Sequence, residues 1–98
     1  MSQIYVQLTA GDVALGRATA DLGRDGHLKH WSVYGSFDGI GPIPEDTTVQ
    51  LGLPDGRVLT GHAFRQNQRM SSNAGGTYTD YTYLGTGPLD GAREYEFN

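Results

Sequence analysis

Histidines, carboxylates and hydroxyls are the side chains of this chain that could carry chemistry, and their spacing decides which reactions are open to them. Asp25, His27 and His30 fall close together, at the density that a metal site needs. On a strand, however, side chains alternate between faces, so two histidines three positions apart project in opposite directions and do not converge. The chain has no cysteine, which removes thiolate ligands and disulfides alike. No metal and no other cofactor is expected. His62 stands alone on the face of Val58 and Phe64 and reads as a satisfied core or rim histidine. A nucleophilic triad needs a serine or threonine activated by histidine and carboxylate, yet Ser32, Ser36, Ser71 and Ser72 lie in no G-x-S-x-G turn. Among the carboxylates, Asp12, Asp21, Glu45, Asp46 and Asp80 fall in turns, loops or exposed strand positions, and only Glu45 and Asp46 adjoin. The glycine-rich NAGG and GTGP lack the Lys-Ser/Thr and the helix that phosphate binding requires. The expectation is a protein that is not an enzyme.

Charge narrows the partners. With 7 Lys and Arg against 11 Asp and Glu, the net charge is −4, whereas gripping a phosphate backbone takes clustered cations. The arginines are spread along the chain, apart from the stretch Arg65-Gln66-Asn67-Gln68-Arg69, which reads as a solvated loop. No nucleic acid is expected as a partner. The opening MSQIYVQLT has neither a basic start nor a long apolar run, so no signal peptide and no membrane association are predicted.

The elements that must position these groups are strands. A chain of 98 residues corresponds to a single domain, 1–98, with one modest core. Period two dominates: Ile4, Val6 and Leu8 alternate with Tyr5, Gln7 and Thr9. The segment VALGRATADL, residues 13–22, suits a short helix or a strand, and Gly16 and Thr19 tip it toward the strand. LGRDG predicts a tight turn, and LKHWSVYGSF returns with Trp31, Val33 and Phe37 on one face and His30, Ser32, Tyr34 and Ser36 on the other. Two prolines and two glycines make DGIGPIPED a loop, either a crossover or a protruding arm. TTVQLGL places Val49, Leu51 and Leu53 inward, Pro54-Asp55-Gly56 turns the chain, and the return strand sets Leu59, Gly61 and Ala63 opposite Val58, Thr60, His62 and Phe64. The segment QNQRMSSNAGG shows no pattern, and REYEF at the end alternates again as a strand. Together these predict an all-β fold: a small single-domain barrel or sandwich of six to seven antiparallel strands, with 90–98 a C-terminal arm.

The most distinctive run is TYTDYTYLGTGP. Tyr78, Asp80, Thr82 and Leu84 share one face; Thr77, Thr79, Tyr81 and Tyr83 share the other. Such a ribbon suits a strand packed against something polar or partly hydrated. Two uses fit. One is a face covered by another copy of the chain, with Tyr78, Asp80, Tyr81, Tyr83, Arg93, Tyr95 and Phe97 as the assembly interface and GTGP turning the tail out toward a neighbour's sheet edge. The other is a carbohydrate- or ligand-binding module that stacks its ligand on Trp31, Tyr34, Tyr81 and Tyr83.

Two resemblances bear on this choice. Leu53 to Gly61, LPDGRVLTG, resembles the first motif of Sm-like RNA-binding barrels, where the last glycine lets a strand bend; the second motif of that family has no counterpart here. The run from Leu59 to Leu89 resembles the closing part of phage tail-tube proteins and of the tube proteins of contractile injection machines. There a strand like Leu59-Thr60-Gly61-His62-Ala63-Phe64 leads through a polar loop to a final strand ending in a sequence like Gly85 to Leu89. That resemblance implies a structural β-protein that forms homo-oligomers, alone or with other virion or assembly proteins, located in the cytoplasm or in an assembled virion.

Overall fold

Alternation fixes which side of each strand is covered, and closure of the sheet fixes what covers it. The computed structural model describes residues 2–38, 42–73 and 76–97. Six strands, β1 (Ser2–Ala10), β2 (Val13–Asp25), β3 (Leu28–Asp38), β4 (Asp46–Gly52), β5 (Val58–Asn73) and β6 (Gly76–Asp90), are followed by a single 3-10 turn, Glu94–Glu96. Every pairing is antiparallel, and the strands close into a barrel in the order β1-β2-β3-β6-β5-β4. Of the two predicted all-β architectures the fold is the barrel. The seam that closes it pairs Gln7–Ala10 with Val49–Gly52.

Inside, large residues meet small ones across the ladders. Ile4 lies opposite Ala20 and Val6 opposite Ala18; with Leu8, Leu22, Val33, Val49, Leu51, Leu59 and Ala63 they form one core. That arrangement settles 13–22 as strand: the alanines that would suit a helix are the small partners that a narrow barrel interior needs. The β2–β3 hairpin turns through Gly26 and His27, with Gly26 at φ 64, the left-handed conformation that a two-residue loop demands. The strands therefore run to Asp25, further than the LGRDG reading placed the turn.

β3 and β4 are not neighbours, so the predicted loop joins two strands that do not pair; its residues 39–41 lie outside the described residues. Its described part is tied down from inside. Ile43 is buried, the Tyr83 hydroxyl donates to the Pro44 carbonyl at 2.5 Å, and the Arg65 guanidinium donates to the Ile43 carbonyl at 2.5 Å.

Three expectations are corrected. The stretch 66–73, read as loop, continues β5, because β6 supplies a backbone partner at Asn67 to Asn73 whatever the local side-chain pattern. GTGP does not lead out of the sheet: β6 continues to Asp90, and Thr86 to Pro88 form a bulge opposite His62 alone, between the pairs Ala63–Gly85 and Gly61–Leu89. A bulge tolerates proline, which has no ladder N–H to give. The space goes to Trp31. A Cβ on Gly85 would overlap the indole and one on Gly61 would come within 2.6 Å of it, while the indole N–H donates to the Gly87 carbonyl at 2.9 Å. Finally, the tail is neither strand nor arm: it folds back over the upper end of its own barrel, with Phe97 only 8% exposed.

Candidate functional site

Two features of the outer surface have geometry beyond that of an ordinary barrel wall. The first is a groove of about 540 Å³. The last pair of the β2–β3 ladder is Ala18–Gly35; below it, among the described residues, β2 keeps only β1 as a partner and β3 only β6. The two strands fork there, and the groove follows the fork. One row of outward residues crosses four strands above it, Tyr5–Thr19–Tyr34–Thr82. Tyr5 and Tyr34 thus stand two strand spacings apart, about 10 Å, with the short Thr19 between them.

The lower wall is polar. The Arg17 guanidinium lies 4.9 Å from the centre of the Tyr5 ring, a cation–π distance. The Ser36 hydroxyl donates to Asp80; on the other side of the row, the Gln3 amide donates to the Tyr34 hydroxyl at 3.5 Å. Gly35 shares the inward row with Ala18 and Tyr81, and its lack of a side chain leaves room for the Tyr81 hydroxyl, which a Cβ there would approach within 2.8 Å. Tyr81 is 2% exposed, and its hydroxyl has no hydrogen-bond partner among the described residues. Burial pushes that phenol up to about 12, so it stays protonated at any physiological pH.

The second feature is an open sheet edge. The β4–β5 ladder ends at Asp46–Phe64, so among the described residues β5 is paired from Gln66 to Asn73 with β6 only. Alongside it run the exposed Phe64 and Met70, the latter 60% exposed, in a shallow groove shared with Glu45, Gln66 and Gln68. An unpaired strand edge presents a row of backbone donors and acceptors ready to accept another strand.

The structure scatters the residues predicted for the interface. Tyr81 and Tyr83 point into the chain's own core, Tyr83 at 0% exposure, their rings 5.9 Å apart edge to face. Their side chains cannot reach a neighbour, because barrel closure covers the face that an open sheet would have offered. Tyr78 and Asp80 lie toward the lower end of β6. Arg93, Tyr95 and Phe97 lie past its upper end, where Tyr95 stays 69% exposed and its hydroxyl accepts from Arg93 at 2.9 Å.

Phe97 is turned inward, under Lys29 at 5.4 Å from the ring centre. The tail is held by ion pairs, Glu96 with Arg57 at 2.9 Å and Glu94 with Arg24 at 2.7 Å and with Lys29. Of the predicted stacking residues, Trp31 is buried beneath the β6 bulge, Tyr81 and Tyr83 are inside, and only Tyr34 faces outward. The groove therefore joins Tyr34, Asp80 and Tyr81 from the two predicted sets to Tyr5, Arg17 and Ser36, which the sequence reading left out. Alternation already put Tyr5 and Tyr34 outward; the strand register alone aligns them.

The histidines do not converge. The His30 ring packs over Gly23, and His62, half exposed on the outer face and not in the core, is hydrogen-bonded through Nε2 to the Asp46 carboxylate. Among the described residues no group of three or more His, Cys, Asp or Glu could hold a metal ion, and no helix is long and apolar enough to cross a membrane. Comparison of the chain with family models, curated proteins and solved structures gives no match.

Proposed function

We propose that this protein is a non-enzymatic assembly subunit that forms homo-oligomers through the open edge of β5. The observation that carries this reading is the stretch from Gln66 to Asn73, paired among the described residues on its β6 side alone, with the exposed apolar side chains of Phe64 and Met70 beside it. A second copy supplies the matching edge. Two β5 strands paired antiparallel about a two-fold axis at Met70 set the two methionines opposite each other and Arg69 opposite the partner's Ser71. In that register no like charges meet across the ladder. The resemblance of Leu59 to Leu89 to tail-tube proteins falls on the β5–β6 hairpin and supports a place in a virion tail or injection machine, beside other assembly proteins.

Sedimentation velocity across a range of concentrations tests it. Wild type is expected to sediment at a multiple of the 10.6 kDa protomer, with Met70→Lys and Gln68→Pro shifting it toward a single protomer while the circular dichroism of the barrel persists. A protomer mass at every concentration would overturn the proposal.

A further inference from the structure

We propose that the groove at the β2–β3 fork binds a neutral pyranose sugar. The site is separate from the open β5 edge and does not depend on assembly: it lies across β1, β2, β3 and β6.

The argument rests on shape and on the sequence of polarities along the groove. A pyranose has two faces of C–H bonds and a rim of hydroxyls. It therefore asks for aromatic surface on the walls and for paired acceptors and donors at one side. Tyr5 and Tyr34 form such walls about 10 Å apart, and the intervening Thr19 leaves the space between them open. At the lower side Asp80 offers carboxylate lone pairs beyond the one used by Ser36, which suits vicinal hydroxyls as donors. Opposite it, Arg17 brings guanidinium N–H groups for ring and hydroxyl oxygens.

Charge selects among ligands. One cation and one carboxylate line the groove, so a neutral ligand with both donors and acceptors matches it, whereas an anion or a cation leaves one group opposed.

Titration of the isotopically labelled full chain with methyl β-D-glucopyranoside and methyl β-D-galactopyranoside, followed by amide chemical shifts, tests the proposal. Adenosine, a flat ring of another class, is run in parallel. Shifts are expected at Tyr5, Arg17, Thr19, Tyr34, Gly35 and Asp80 with at least one glycoside, at a dissociation constant on the order of 1 mM. Asp80→Asn and Tyr34→Ala are each expected to weaken binding by about tenfold or more. Thr19→Gln, which fills the space between the tyrosines with a polar chain, is expected to abolish it; this gives a reading even if one of the other variants does not fold. Tyr95→Ala, at the far end of the barrel, is expected to change nothing. The proposal is overturned by the absence of shifts with both glycosides, by shifts that all three groove variants leave intact, or by adenosine binding in their place.

Discussion

Trp31 shows how one side chain organises its surroundings. The indole is wider than any neighbour across the ladder can accommodate, so the chain sets glycine at both positions it overlies, Gly61 and Gly85, and spends three residues of β6 on a bulge whose Gly87 carbonyl accepts the indole N–H. A methyl group added at Gly85 must displace the ring. Gly85→Ala is therefore expected to destabilise the fold by about 1–3 kcal/mol, the usual cost of overpacking, as read from urea unfolding followed by Trp31 fluorescence. Gly87→Ala meets no neighbour within 4 Å and is expected to be nearly neutral in the same assay. Equal costs at the two positions would mean that backbone freedom, and not room for the indole, is what glycine supplies here.

At the scale of the element, the tail behaves as a lid on the upper end of the barrel, held by charge. Glu96 accepts two guanidinium N–H groups of Arg57, at 2.9 and 3.1 Å, and the Arg93 backbone N–H at 2.7 Å. The Arg57 bonds hold its carboxyl below the ordinary value of 4.5, and the Lys29 ammonium beside Glu94 does the same for that carboxyl. A carboxylate whose folded pKa lies below its unfolded one contributes stability above the unfolded value and loses it as pH falls through the folded one. The tail is thus expected to hold at neutral pH and to release in acid below the ordinary glutamate range. Trp31, which lines a small cleft with Lys29, Ala92 and Phe97, reports this as a red shift of its emission. Glu96→Gln is expected to show part of that shift at neutral pH and a smaller acid step. Emission indifferent both to acid and to the substitution would show that the ion pairs do not hold the lid.

For the whole molecule, the weak line is the closure. The β1–β4 seam has four residue pairs, against seven or more in each other ladder, and opening a barrel at its shortest ladder costs the fewest hydrogen bonds. Amides bonded across the seam, within Gln7–Ala10 and Val49–Gly52, are expected to exchange with solvent faster than those shared by β5 and β6 at Thr60 to Phe64. Uniform protection of the two sets would mean that the barrel opens only by global unfolding. Closure also removes the exposed edges that β1 and β4 would otherwise offer, which leaves the β5 projection as the longest open edge among the described strands.

What the sequence alone determined is what alternation and turn chemistry encode locally. The side-chain period placed Val49 and Leu51 inside and set Tyr5 and Tyr34 on the faces opposite Val6 and Val33, because neighbouring side chains on a strand must face opposite ways; for Val58 to Phe64 it separated two faces, and only the closed barrel decided that Leu59 and Ala63 are the buried ones. Asp-Gly marked the hairpin turns at Gly26 and Gly56, because those glycines carry the positive φ. The all-β class followed from these signals. Tertiary structure decided everything that depends on which strands meet. Residues 66–73 become strand through pairing with β6, against a side-chain pattern that says nothing. Closure turned the Tyr81–Tyr83 face from a surface into a core. Arg57, Arg24 and Lys29, far from the tail in sequence, drew Glu94 and Glu96 back onto the barrel. The groove exists only because register aligns Tyr5, Thr19 and Tyr34 across three strands, and register between strands is a long-range property: a slip of one residue in any ladder would send those rings to the other face.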